Sequence, residues 1–421
     1  MATRPKPLEG IKVVELATFI AVPAVGRILA DMGADVIKIE SLRGDNLRFT
    51  APTEGRPLDD YENTTYDLEN ANKRGIALDT KTETGKKVLE QLLSKADIFL
   101  TNFRPEALVR AGLEYEQLKV KYPKLVYGNA TGYGEVGPAR DLPGFDFTAF
   151  FARGGLLGSL YQKGTVPMNV IPGLGDHQAA MGLAAGIIAA LYQAKQTGLG
   201  EKVSTNLLHT AIYTQGIMVQ AAQYTNLGQK YPIDRRQSTS PFIVAYKTAD
   251  DRFVQVCMPV YDDYYPAFIK AIGREDLLNH ECYSKLAVMA KAKRSPEMYD
   301  IIWEAFGKQP LKHWVEVLTK ADVPFSVAQS WEEILEDEQA WAINTFYRMK
   351  YDNGHELALV RPPIDMQENG LPEYRRGPLL GEDGPQILKE LGYTEAQIEE
   401  MKAKKEIVVK QPLKQSAAGG K

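Results

Sequence analysis

The chain has 421 residues, 44% of them hydrophobic and 25% charged, with a net charge of −4. These values fit a globular protein with a large core and room for two domains, and they argue against a dedicated nucleic-acid binder. Two cysteines, Cys257 and Cys282, make no disulfide framework, and five histidines form no HxxxH or HxH pair, so no metal site is expected. No run reaches the roughly 18 apolar residues of a bilayer span. The opening MATRPKPLEG lacks the apolar centre of a signal peptide, so a cytoplasmic location without membrane contact is expected.

Ile11–Leu16 (IKVVEL) is short, β-branched and apolar, the pattern of a strand covered on both faces. Pro23 then sits just inside a helix that Gly33 closes, and Val36–Glu40 follows as a second strand, giving a βαβ unit. The alternation continues with a strand at Gly75–Leu78, a helix at Thr82–Ala96 and a strand at Asp97–Asn102. Helices at Glu106–Ala111 and Tyr115–Lys121 precede a strand at Leu125–Tyr133. A strand at Lys202–Leu207 and a helix over Leu208–Tyr224 complete a large, Rossmann-like α/β domain with a parallel sheet, residues 1–224. The first strand is not followed by GxGxxG, and neither GxxxxGK[ST] nor GxSxG occurs, which removes the usual dinucleotide, P-loop and serine-hydrolase sites.

Polar residues flanked by prolines at Gln229–Pro241 mark a linker. A hairpin at Phe242–Lys247 and Arg252–Met258, helices near Tyr264–Ile272, Pro296–Phe306 and Lys312–Ala321, a strand at Asp322–Gln329 and a helix at Trp331–Ile343 indicate a smaller α+β domain over 225–340. Residues 341–421 are expected to return to the large domain, with strands at Phe346–Tyr351 and Leu357–Arg361 and helices at Gly384–Leu391 and Thr394–Lys404. The Lys/Ala/Gly-rich end, Lys410–Lys421, is expected to be disordered.

The most informative segment is Gly173-Leu174-Gly175-Asp176-His177-Gln178, which feeds a small-residue helix from Ala179 to Lys195. Two readings of Asp176 stand side by side. It is an N-cap that the helix dipole keeps ionised, or it is a carboxylate nucleophile beside a loop whose glycines admit close approach. His177 is likewise a general base or a structural hydrogen-bonding group. Phe145, Phe147, Phe150 and Phe151 read as core or as one wall of a substrate pocket.

Several long motifs carry a resemblance: LEGIKVVELATFIAVPAVGRILADMGADVIKIE, NANKRGIALDTKTETGKKVLEQLLSKADIFLTNFRPEALVRAG, GLGDHQAAMGLAAGIIAALYQAKQTGLGEKVSTNLL and LLGEDGPQILKELGYTEAQIEEM. Over residues 8–408 the sequence resembles the class III CoA-transferases, the formyl-CoA and carnitine CoA-transferase family. ENTTYDLENANK, GEVGPARDLPGFDFTAFFARGG and PFIVAYK are most like the branch that handles 2-hydroxy acids in amino-acid fermentation. The resemblance implies an interlocked homodimer with the active site between large and small domains. It implies an acyl-CoA thioester and a small carboxylic acid as substrates, an aryl-lactate or branched 2-hydroxy acid as acceptor, and neither a resident cofactor nor a metal. Association with a 2-hydroxyacyl-CoA dehydratase is a further expectation.

The resemblance places the catalytic carboxylate at Asp176 and CoA contacts at Lys73, Arg74, Asn102, Phe103, Arg104, Arg110, Tyr133, Ile20 and Ala21. Left to themselves, Arg104 and Arg110 read as a solvated helix face. Glycines near Asp176 would offer N–H groups to a tetrahedral intermediate. Three departures from the oxalate branch stand out. Ile20 is apolar where that branch often has Gln, Ser41 replaces an arginine for which Arg43 or Arg48 would compensate, and Arg235–Pro241 stands in place of a glycine-rich loop. The same fold also serves acyl-CoA racemases, in which an Asp and a His exchange an α-proton, and a non-catalytic CoA-binding subunit is a third class.

Overall fold

The computed structural model describes residues 4–224 and 231–410. The expected linker positions 229 and 230, and the tail from 411 onward, lie outside the described residues.

Six strands, β1 (Lys12–Leu16), β2 (Asp35–Glu40), β3 (Arg74–Leu78), β4 (Ile98–Thr101), β5 (Val126–Thr131) and β6 (Lys202–Asn206), lie parallel in the order β3-β2-β1-β4-β5-β6. Val14 on β1 pairs with Ile37 on one side and Phe99 on the other. A short strand, Ile407–Val408, adds antiparallel to the β3 edge. Two apolar residues after a charged helix give too little period for a sequence reading to find it.

Seven helices of this region are α1 (Ala21–Asp31), α2 (Thr64–Asn70), α3 (Glu83–Leu93), α4 (Pro105–Ala111), α5 (Tyr115–Lys121), α6 (Leu174–Thr197) and α7 (Leu207–Thr214). Because the side chains of a strand alternate, Val13, Val36, Leu100 and Val126 meet α1 and α6 on one face through Val25, Ile28, Leu183 and Ile187. Val14, Ile37, Ile39 and Phe99 face the other way, onto Val88 and Leu92 of α3 and onto Ile387, Leu388, Ile398 and Met401 of the C-terminal helices Gly384–Glu390 and Glu395–Ala403. Each such buried aliphatic contributes roughly 1.5–3 kcal/mol. The helix α6 has the length and composition of a membrane span, with a mean hydropathy of 1.2, which qualifies the expectation from sequence. It packs against α1, β5 and β6 and contributes Leu183, Ala184, Ile187 and Leu191 to the core, so its apolar content serves the sheet.

The chain divides into two compact units. One comprises the described residues within 1–155, 170–215 and 338–421; the other, those within 156–169 and 216–337. This corrects the single boundary expected near 224, since Leu156–Asn169 and the segment from Gly216 belong to the second unit. The helix expected over Leu208–Tyr224 breaks between α7 and a separate Gly216–Ala221. The one expected over Trp331–Ile343 breaks at Asp337, whose backbone is extended, into Trp331–Glu336 and Glu338–Ala342. The second unit holds a three-stranded antiparallel sheet, Ala245–Lys247, Phe253–Val256 and Phe325–Val327, over an aromatic core of Phe242, Tyr246, Tyr261, Phe268, Phe306 and Trp314.

Candidate active site

The strand order reverses direction between β1 and β4, and in parallel sheets of this kind the crevice beyond the strands' carboxyl ends at that point is the usual ligand site. Here the loop after β1 is held from both sides. Asn102, just past β4, accepts the Thr18 N–H at 3.0 Å and donates to the Thr18 carbonyl at 2.7 Å. Asp45, past β2, accepts the N–H of Phe19 at 3.0 Å. Phe19 has a φ of 61°, a left-handed conformation that an aromatic residue adopts only under constraint. These bonds supply that constraint, and Ile20 and Ala21 follow at the start of α1.

Beneath the loop lies a buried row of charges. Glu15 accepts from Lys38 at 3.0 Å and from Lys73 at 2.7 Å, and Lys38 also meets Asp45 at 3.0 Å. All four side chains are buried. Gly26 makes this geometry possible, because a Cβ there would stand 1.9 Å from Glu15 Oε2. Burial pushes the Lys73 ammonium down to about 8, against the attraction of Glu15.

Asp176 stands on the turn that starts α6. Gly173 is the residue before the helix, with a φ of 86° suited to glycine, and it offers no side-chain cap. Asp176 lies inside the first turn and does not cap it, contrary to that reading of the sequence. The capping carboxylate is Asp146, from the π-helical turn Asp146–Ala152. Its Oδ1 accepts the Gly175 N–H at 3.1 Å, and the N–H groups of Gly173 and Leu174 also favour its ionised form. A Cβ on Gly175 would sit 2.3 Å from that oxygen and 2.2 Å from the Phe150 ring, so the turn can close on the π-helical turn only with glycine here. The glycine N–H groups expected to serve an oxyanion therefore hold Asp146 instead.

His177 Nε2 lies 2.8 Å from Oε1 of Glu69, a buried carboxylate on α2. Burial raises Asp176 to about 7; the charges of Asp146 and Glu69 push the same way and His177 opposes. Burial likewise raises Asp146, against its N–H bonds. Burial alone would lower His177, but the Glu69 hydrogen bond and charge, with Asp176 and Asp146, outweigh it and raise its pKa. The site is thus three carboxyl groups and one imidazole, with a nucleophile candidate that titrates near neutrality.

The structure brings some of the expected residues together and removes others. Ile20 meets the turn that starts α6: its Cδ1 would be 3.5 Å from a Cβ on Gly173. Ala21, Asn102, Phe103 and the exposed Arg104 lie at the same crevice, with Phe103 partly packed into the core. Tyr133 follows β5, with the Arg153 guanidinium 5.0 Å from its ring centre. Lys73 is corrected: its three ammonium protons go to Glu15, the Pro23 carbonyl and Asn70, leaving none for a CoA phosphate. Arg74 is corrected for the same reason, since its guanidinium binds Asp35 and Glu390. Arg110 is 73% exposed at the far end of α4. Arg48 is buried against Glu40, Tyr66 and the Pro378 carbonyl, so only Arg43, which is exposed, remains to compensate for Ser41. Phe150 and Phe151 are core, whereas Phe145 and Phe147 are exposed. Sequence reading missed Asp146 and Glu69; the available signals were an N-cap Asn63 opening α2 and an Asp in the aromatic GFDF segment upstream of the GLGDH turn. Among the described residues, no group of three or more His, Cys, Asp or Glu could hold a metal ion.

The chain is a transferase that acts on CoA: the family model "CoA-transferase family III" matches residues 8–384, and the chain belongs to that family. It is 58% identical over 401 residues to the cinnamoyl-CoA:phenyllactate CoA-transferase of Clostridium sporogenes, covering 95% of this chain and 97% of the relative. It is 43% identical over 398 residues to the (R)-2-hydroxy-4-methylpentanoate CoA-transferase of Clostridioides difficile, covering 94% and 98%. Among solved structures, a CaiB/BaiF family protein from Brucella suis superimposes with a TM-score of 0.77 at 26% identity, covering 92% of this chain and all (100%) of that one.

Proposed function

We propose that this enzyme moves CoA from an acyl-CoA to a 2-hydroxy carboxylic acid, an aryl-lactate such as phenyllactate or a branched analogue, with Asp176 as nucleophile. The carrying observation is that Asp146 takes over the capping of α6 and leaves Asp176 on the turn without that duty. The names of the two relatives supply the acceptor class.

In the proposed reaction, an Asp176 oxygen attacks the thioester carbonyl, the C–S bond breaks, and CoA leaves as thiolate. The product is a mixed anhydride. The thiolate then attacks the aspartyl carbonyl, giving an aspartyl-CoA thioester and releasing the donor acid as carboxylate. The acceptor carboxylate attacks that thioester, forming a second anhydride and thiolate. The thiolate attacks its acyl carbon, yielding the new acyl-CoA and restoring Asp176. Each step exchanges one acyl bond for another, so no separate energy source enters. Water must stay out, because either intermediate would hydrolyse. Ile20, Ala21, Asn102, Phe103, Arg104, Arg110 and Tyr133 are the CoA contacts of the proposal, with the exposed Arg104 offered to a phosphate.

The proposal includes a cytoplasmic homodimer, and association with a dehydratase that consumes the 2-hydroxyacyl-CoA. Exposed apolar side chains on α6 and α7, Tyr192 at 68% and Tyr213 at 83%, favour a covering copy. A second reading, an acyl-CoA racemase, draws on the adjacency of Asp176 and His177. The test is mass spectrometry of CoA products from cinnamoyl-CoA or isocaproyl-CoA mixed with (R)-phenyllactate, (R)-2-hydroxyisocaproate, lactate, carnitine or oxalate. A new 2-hydroxyacyl-CoA, lost in Asp176→Ala while CoA still binds, is expected. No new thioester, together with α-deuterium uptake from heavy water, would replace transfer by racemisation.

A further inference from the structure

Glu69 and His177 form the one pair in the site that the reaction outlined above does not use. The helix α2 that carries Glu69 is held in place by Arg27, whose guanidinium donates to the carbonyls of Asp67 at 2.9 Å and Leu68 at 3.3 Å. The Glu69 carboxylate is buried and has only lone pairs to offer, so His177 Nε2 is the donor in the 2.8 Å contact. The Cε1–Nδ1 edge of the ring lies at the turn that starts α6. A Cβ on Gly173 would sit 3.4 Å from His177 Cε1 and 3.6 Å from Nδ1, with Ile20 Cδ1 at 3.5 Å. Nδ1 thus lies where the loop after β1 meets the start of α6, and the His177 side chain as a whole is 42% exposed.

The charge arrangement gives that edge a task. The charges of Asp146 from the π-helical turn, Asp176 from α6 and Glu69 from α2 all favour the protonated imidazole, and Lys73 feels the charge of Glu69. Once Asp176 carries CoA, an acceptor acid brings its own carboxylate in beside Asp146 and Glu69, and like charges repel strongly in a partly desolvated site. Lys73 is committed to Glu15, Pro23 and Asn70. When protonated, His177 supplies a cation beside Asp176.

We propose that His177 is the acceptor-binding residue of this site: Glu69 fixes its ring, and the Nδ1–H holds the acceptor carboxylate beside the CoA-bearing Asp176. Glu69 is then a positioning residue, acting through His177. The proposal rests on the transfer reading given above. Burial opposes the protonated ring, while Glu69, Asp176 and Asp146 favour it, so the imidazolium persists above the ordinary histidine range and is lost as pH rises through its raised pKa. Acceptor binding should weaken on that alkaline limb.

The experiment is steady-state transfer from cinnamoyl-CoA to (R)-phenyllactate across pH, with the acceptor varied, for wild type, His177→Gln and Glu69→Gln. His177→Gln should raise the acceptor KM by about tenfold or more, as loss of a charge-assisted hydrogen bond does. It should affect the KM for the acyl-CoA far less and remove the alkaline limb. Glu69→Gln keeps the shape but removes the anion, so the limb should move to lower pH. His177 is partly exposed, so its variant tests the idea even where the buried Glu69 change unfolds the protein. An unchanged acceptor KM in His177→Gln, or a limb that stays in place in folded Glu69→Gln, overturns the inference. Wild type incubated with cinnamoyl-CoA alone and hydroxylamine should give a hydroxamate at Asp176. Its absence would sink the transfer reading itself, whereas a labelled wild type with unaffected variants would sink only the role of His177.

Discussion

Asp146 accepts the Gly175 N–H at 3.1 Å, and its other carboxylate oxygen is buried without a hydrogen-bond partner. One carboxylate thereby finishes the N-terminus of α6 and crowds the next one, Asp176, with negative charge. The helix start and the protonation of the proposed nucleophile are set by the same side chain.

Asp146→Asn keeps an oxygen for Gly175 and removes the charge. The Asp176 pKa should fall from about 7, and the acid limb of kcat/KM for the acyl-CoA should move to lower pH. Asp146→Ala loses the cap as well and should cost about 1 kcal/mol in addition. A pH–rate profile and a urea melt check both; an acid limb that does not move in the Asn variant would remove Asp146 from the electrostatics of the site.

Asp176 should be a stability burden at alkaline pH. The native protein holds its proton up to about pH 7, the unfolded chain only to about the ordinary aspartate value of 3.8. Ionisation across that window favours the unfolded state, so stability declines as pH rises from roughly 4 to 7. Asp176→Asn should therefore stabilise the protein at pH 8, by about 2–4 kcal/mol, at about 1.36 kcal/mol per pK unit. It should do so while abolishing transfer. Thermal melts of both proteins at acid and alkaline pH measure the difference, which should vanish at low pH.

Gly26→Ala should destabilise, although alanine is the better helix former by about 1 kcal/mol. The new methyl would stand 1.9 Å from Glu15 Oε2 and 3.1 Å from Lys73 Cε, forcing the buried ion pair apart. Breaking such a pair costs about 3–5 kcal/mol, which outweighs helix propensity. Glu15→Gln should cost a similar amount, because it leaves Lys38 and Lys73 short of a counter-charge. Urea denaturation of the two variants decides this.

Arg104 is exposed, and it opens α4 at the crevice. Arg104→Ala should weaken CoA binding about tenfold and flatten its salt dependence, with little change in melting temperature. Calorimetric titration with CoA at two salt concentrations tests it. A Kd equal to that of wild type would return Arg104 to the solvated surface.

Period and punctuation determined much of this protein. The β-branched runs at β1, β2, β3 and β4, the capping Thr82 before α3 and the Gly112 that ends α4 are local signals, and the parallel sheet follows from them. The GLGDH turn was legible too, because Gly-x-Gly-Asp before an Ala-rich run is unusual on its own. What the sequence could not reveal was which carboxylate does which task. Asp146 and Asp176 are 30 positions apart, and Glu69 and His177 are 108 apart. Their pairing depends on the crossovers that bring α2 and α6 against α1 on one face of the sheet. Lys73 looked like a cation for phosphate because burial has no local signature. Only packing turned it inward to Glu15, through the space that Gly26 leaves open. A residue's type fixes the chemistry it can perform; the distance to its neighbours and the access of water decide whether it performs it.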